Sequence, residues 1–304
     1  VHEWHCNTKI KPIDKGSITD VFAKLKHYWP LIKSLQTGLL ILTGLAGYVS
    51  ARCPVYNLTT IVGLIGSLFL AVSGSTILNM VWDRDIDAKM NRTSNRPLPM
   101  GLIKPREAWV VGLGISILGL SWAATMDLLF AVVVFAGLFI DVVIYTMWLK
   151  RKTAWSIVWG GISGGMPILA GRVLGTGQID GVGILFTFGI LFWIPTHILT
   201  FSIKYAHDYA AADVPTFPST YGVNRTRVII AASSLFSAVS ILVSGFLMDL
   251  TTGYLRLIVV LAVGLTGMAM GTIYNESERI NFGLFKYASL FMMTSMFMVI
   301  LGAR

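Results

Sequence analysis

The chain has 304 residues, of which 55% are hydrophobic and only 13% charged, with a formal net charge of +9 and a mean hydropathy of +0.71. Soluble chains carry roughly 25% charged residues, so this composition excludes a soluble enzyme, a small secreted protein and a disordered protein. Cys6 and Cys53 are the only cysteines, too few for a disulfide framework or a four-thiolate metal site.

The first 25 or so residues are polar and lack the apolar core of a cleavable signal peptide. Within residues 17–29, Ile18, Val21, Phe22, Leu25, Tyr28 and Trp29 recur at helical spacing, with Lys24 and Lys26 off that stripe. Ser17 or Thr19 can cap the start. This predicts a short amphipathic helix lying on a membrane surface, within an N-terminal segment 1–30. Nine apolar stretches follow at 31–51, 57–80, 108–126, 128–149, 154–174, 182–203, 228–248, 255–273 and 284–302. Each approaches the ~20 residues that a helix needs to cross the hydrocarbon core. Met126-Asp127 alone separates the third from the fourth. The fold class expected is all-α: one polytopic membrane domain over 1–304, with a nine-helix bundle over 31–304.

With the N-terminus in the cytoplasm, 20 of the 24 Lys and Arg residues fall on the cytoplasmic side, leaving Arg52, Arg172, Arg256 and Arg304 outside. Positive charge retained on one side is the normal sign of membrane orientation. It accounts for the basic balance without nucleic acid as a partner.

The acidic residues number only 15, and their placement carries the chemistry. Asn79, Asp83 and Asp87 recur every fourth residue after the second stretch and share one helical face. Such oxygens suit a hard divalent cation, which takes its remaining ligands from water and substrate phosphates. Arg84, Arg92 and Arg96 follow closely, as cations suited to phosphate oxygens. A second cluster after the sixth stretch holds Lys204, His207, Asp208 and Asp213, interleaved with Tyr205 and Tyr209. Two facing acidic clusters would hold two Mg2+ ions bridging one diphosphate and so promote its departure. The bland alternative for both is a solvated boundary with local ion pairs.

Asn79-xxx-Asp83-xxx-Asp87 with Arg92-Thr93 and Arg96-Pro97-Leu98 resembles the first aspartate motif of the UbiA superfamily of intramembrane prenyltransferases. Residues 144–171, IYTMWLKRKTAWSIVWGGISGGMPILAG, and 193–218, WIPTHILTFSIKYAHDYAAADVPTFP, resemble the corresponding stretches of its haem O synthase (protoheme IX farnesyltransferase) branch. The sequence departs from that branch at Thr196, Ile198, Asp213 and Thr216-Phe217, which bears on the acceptor rather than on the diphosphate chemistry.

The resemblance implies nine helices around a central cavity open to the cytoplasmic side and to lipid. It also implies Mg2+ held by Asn79, Asp83, Asp87, Asp208 and Asp213. Arg96, Lys150, Arg151 and Lys204 become candidates for diphosphate contacts beside Arg84 and Arg92, and Tyr145 for the reacting end. His197 and His207 are candidates for the acceptor. Asp141, one turn before Tyr145 inside the fourth stretch, is a further candidate because intramembrane carboxylates are costly. Gly160, Gly161, Gly164 and Gly165 read as a helix-packing surface.

The partners implied are an isoprenyl diphosphate donor, a lipophilic or aromatic acceptor, and the bilayer. Protoheme is the favoured acceptor; hydroxybenzoate or dihydroxynaphthoate on a quinone route, or a glycerophosphate on an ether-lipid route, are alternatives. A transporter with an ion site is the alternative of another class.

Overall fold

The structure is a computed structural model that describes residues 26–51 and 57–303. The described residues are organised as helices: α1 (Ser34–Ser50), α2 (Leu58–Trp82), α3 (Pro105–Met126), α4 (Leu128–Leu149), α5 (Ser156–Thr176), α6 (Gly181–Lys204), α7 (Val223–Leu247), α8 (Thr252–Tyr274) and α9 (Glu278–Gly302). The last eight are each long and apolar enough to cross a membrane; α1 passes the same test only together with Lys26–Ile32, from which it is bent by 51°, the geometry of a broken span or a re-entrant loop. Of the amphipathic segment expected at 17–29, residues 17–25 lie outside the described residues.

Local chemistry explains where the helices start. Asp127 interrupts the run between α3 and α4: its side chain accepts the Phe130 N–H at 2.7 Å and caps α4. Asn57 and Asp180 cap α2 and α6 in the same way, accepting from Thr59 and Gly183. Pro105 occupies the first position of α3, where a missing N–H costs nothing.

Consecutive helices pack against one another, α9 returns to α1, and α5 and α6 make additional contacts with α1 and α9 respectively. In lipid, close approach and interhelical hydrogen bonds replace much of the hydrophobic drive for association. A Cβ on Gly171 would meet the Gly44 carbonyl oxygen at 1.8 Å, and one on Gly47 would meet that of Ile168 at 2.0 Å. Those glycines therefore set the α1–α5 separation. Gly161, Gly164 and Gly165 face Leu191, Ile194 and Thr187 of α6, as a packing surface should. Gly160 instead faces the Tyr145 ring. Polar ties cross the bundle: Trp193 Nε1 donates to the Ala288 carbonyl at 2.7 Å, Ser237 to that of Gly189 at 2.7 Å, and Asn281 to that of Thr200 at 2.8 Å.

The second half of α4 departs from α-helical geometry. Residues Ile140–Leu149 form a π-helix, whose i-to-i+5 bonding widens the turn. The wider repeat brings Asp141, Thr146 and Lys150 successively against Ser75, Asn79 and Asp83, which recur every fourth residue along the end of α2.

Candidate active site

At the end of the bundle where α2, α4 and α6 terminate, a cavity of about 190 Å3 is walled by Asp83, Asp87, Arg92, Arg96, Lys150 and Lys33, among others. Asp83 and Asp87 are buried. Lys150 donates to Oδ2 of Asp83. Arg96 Nη1 donates to both oxygens of Asp87, at 3.0 and 2.8 Å. Burial works against the charge on Lys150, yet the Asp83 carboxylate beside it holds the ammonium above the ordinary lysine range. Arg92 lies 4.7 Å from the centroid of the Phe201 ring and 5.4 Å from that of Tyr205, a cationic contact that directs it from the α2 loop across to α6. Lys33 reaches this wall from the bend before α1, where it adopts a left-handed φ of 46°.

Asn79 is buried beside this cavity, one turn into α2. Its Nδ2 donates to Asp141 at 2.7 Å and its Oδ1 accepts from Thr146 at 2.9 Å, while Ser75 donates to the same Asp141 oxygen. These contacts fix the amide from both ends. Oδ1 of Asp83, by contrast, is buried without a hydrogen-bond partner. An orphaned carboxylate oxygen close to a second carboxylate is a donor set that fits a hard divalent cation. Among the described residues no three His, Cys, Asp or Glu side chains enclose an ion by themselves. Substrate oxygens and water would complete the coordination of a Mg2+ held there.

The two acid-bearing loops meet. Ile86 and Met90 from one pack with Ala212 and Val214 from the other, and Lys89 pairs with Asp213 at 3.4 Å. Asp208 is buried on the short helix Ala206–Ala211 and does not reach the cavity wall. Asp213 is exposed, with φ of 56°.

The remaining candidates are distributed around the site. Arg84 is exposed. Arg151 grips Asp85 through two bonds of 2.7 Å and donates to the Trp82 carbonyl, which joins the loop after α4 to the end of α2. That hydrogen-bonded guanidinium holds the Asp85 carboxyl below its usual range. Lys204 sits 3.4 Å from the Phe282 ring centroid, turned toward α9, and His207 is exposed.

A second cavity of about 630 Å3 runs into the apolar interior of the bundle. Tyr145, Ile157 and Ile198 line both cavities, so the polar chamber and the apolar one share a wall. His197 lines the apolar chamber, stacked between Trp193 and Phe285 at 4.8 and 4.3 Å, with Nδ1 3.2 Å from the Ser289 hydroxyl.

The model of the UbiA prenyltransferase family matches residues 40–292. The chain belongs to the UbiA prenyltransferase family. It is an integral membrane enzyme of that family. A protoheme IX farnesyltransferase of Archaeoglobus fulgidus is 42% identical over 223 residues, covering 72% of this chain and 78% of the relative. Among solved structures, one from a study of digeranylgeranylglyceryl phosphate synthase superposes with a TM-score of 0.77 at 18% identity, covering 92% of this chain and 99% of the other. A UbiA homologue of Archaeoglobus fulgidus, solved with GPP and Mg2+, gives 0.65 at 18% identity, covering 90% and 99%. Those likenesses establish the UbiA fold.

Within this UbiA chain, three residues at the site were not singled out as candidates in the sequence. Lys33 reads as one of several N-terminal cations, Ser75 as an ordinary small polar residue inside a span, and Thr146 only as part of the 144–171 stretch that resembles the haem O synthase branch. All three enter through contacts between segments distant in sequence. The four-residue spacing from Ser75 to Asn79 could have found Ser75, and the resemblance over 144–171 could have found Thr146.

Proposed function

We propose that this enzyme transfers the farnesyl group of farnesyl diphosphate to protoheme, with the reacting head held at the cytoplasmic end of the bundle and Mg2+ required. The observation that carries this reading is the shared wall between the two cavities. One chamber offers carboxylates and cations to a diphosphate, and the adjoining one offers apolar surface to an isoprenoid chain and a lipophilic acceptor. The similarity to the Archaeoglobus protoheme IX farnesyltransferase supports the acceptor, and the one-sided distribution of Lys and Arg supports the orientation.

In this reading Asp83 and Asp87 would hold the metal, with Asn79 alongside and Asp208 and Asp213 contributed from the facing loop. Bound Mg2+ supplies positive charge to the diphosphate as it leaves. Arg92, Arg96, Lys150 and Lys33 orient the phosphate oxygens and balance their charge. The carbon–oxygen bond of the donor breaks with its electron pair remaining on the diphosphate, and π electrons of a carbon–carbon double bond of the acceptor form the new carbon–carbon bond. The cation left on the acceptor is discharged by taking up a water oxygen with loss of a proton. Tyr145, at the boundary between the chambers, faces the reacting carbon. The apolar walls around it keep water from intercepting an allylic cation before the acceptor does.

The test is product formation by the full chain in lipid nanodiscs with Mg2+ and farnesyl diphosphate. Protoheme, 4-hydroxybenzoate and dihydroxynaphthoate are offered in parallel and products are identified by mass. A farnesylated haem is expected. Prenylation of an aromatic acid with haem untouched would overturn the acceptor.

A further inference from the structure

The apolar chamber contains a cation that the diphosphate chemistry does not use. Lys286 lines it, on the same face of α9 as Ser289, Leu290 and Met293, which follow at helical spacing and line it too. Its ammonium lies 4.9 Å from the Phe282 ring centroid, and among the described residues no carboxylate pairs with it. The two cavities have no lysine in common. Across a short stretch of the same wall stand Ser289 and His197, hydrogen-bonded to each other.

A lysine in a largely apolar wall keeps its charge where an anion or water can reach the ammonium, while its stem covers apolar surface. Lys286 is exposed, the ninth residue of α9 counted from Glu278, so its charge lies between the membrane boundary and the interior of the chamber. An acceptor that is apolar over most of its surface but carries an acid group would leave that group at this point.

We propose that Lys286 is a specificity-determining residue of the acceptor site, pairing with a carboxylate of the acceptor. The inference rests on the proposed reading of the enzyme, in which the acceptor is protoheme, a macrocycle bearing two propionates. The ion pair fixes which edge of the macrocycle faces the boundary, and so which edge is presented toward Tyr145 and the donor carbon. A lipid phosphate offers the same oxygen chemistry to Lys286, and the dimethyl ester, which lacks the carboxylates, separates the two sources: only pairing with the acceptor is lost with the ester.

The experiment is equilibrium binding of protoheme to the full chain in nanodiscs of uncharged lipid, read by the haem absorption band. It compares wild type, Lys286→Gln and Lys286→Arg, with protoheme and with its dimethyl ester. Thermal melting of each variant confirms that it is folded. Wild type and Lys286→Arg are expected to bind protoheme about tenfold more tightly than Lys286→Gln, and that difference vanishes with the ester. Equal protoheme binding by wild type and Lys286→Gln with melting preserved, or a difference that persists with the ester, overturns the inference while leaving the haem reading intact. A wild type that binds farnesyl diphosphate but no protoheme overturns both.

Discussion

Lys150 and Asp83 lie 67 residues apart in sequence and meet at the floor of the polar cavity, where the ammonium donates to one carboxylate oxygen and leaves the other buried without a donor. One oxygen is thus held in place while its neighbour remains available to a cation. The pair also links the π-helical end of α4 to the end of α2, so the same contact that shapes the cavity positions its central carboxylate. Breaking such a pair from one side strands a buried charge and costs more than the pair itself is worth.

Asp83→Asn is therefore expected to lower Mg2+-dependent turnover by at least about a hundredfold. Initial rates at saturating donor measure this. A variant that kept the wild-type rate would remove Asp83 from the metal and diphosphate site.

Asp141 is expected to act through Asn79. It receives the Asn79 amide and the Ser75 hydroxyl on one oxygen, while Thr146 occupies only one of the two lone pairs on the Asn79 carbonyl oxygen. Asp141→Ala frees the amide to rotate, and the Mg2+ concentration for half-maximal turnover should rise roughly 10- to 100-fold. An unchanged Mg2+ titration would show that Asn79 does not depend on this support.

The spans were legible because apolar length and boundary chemistry are local. Asp127 separates α3 from α4 by capping, as its place between two apolar runs suggested. The first acidic cluster was legible for the same reason: residues four apart share a face, and Asp83 and Asp87 do line one cavity. Spacing does not reveal what a long side chain meets across the bundle. Arg151 turns to Asp85 and Lys204 to Phe282, away from the cavity wall. Nor does it reveal the π-helical register of Ile140–Leu149, which arises where α4 packs on α2 and brings Asp141 onto Asn79. The bend that delivers Lys33 was hidden likewise, because a left-handed lysine has no signature in its own sequence.

On the opposite side of the bundle, Arg172 binds Asp180 through three bonds of 2.6 to 2.9 Å and also donates to Ser50. Hydrogen bonding from Arg172 holds the Asp180 carboxyl below its usual range. A depressed carboxyl stabilises the fold above its unfolded pKa of about 3.9, and that contribution fades as pH falls through the lower folded value. Asp180→Asn should lower stability by about 1 kcal/mol at neutral pH, a modest figure because the pair is partly solvated. The difference from wild type should disappear in acid. Melting curves across pH check this, and a difference that persisted below the folded value would contradict it.

Gly171→Ala drives a methyl into the Gly44 carbonyl, a backbone atom that only separation of α1 and α5 can move. The expected loss is about 1–3 kcal/mol, read as a lower melting temperature. Gly114→Ala, with open space at its Cβ, serves as the control and should not be destabilised.

The most direct measurement of the central claim is calorimetric binding of farnesyl diphosphate to the full chain in nanodiscs, with Mg2+ and with the metal chelated. The account predicts saturable binding that requires Mg2+, because the head sits among Asp83, Asp87, Arg92, Arg96 and Lys150. No binding, or binding of equal strength after chelation, would contradict it.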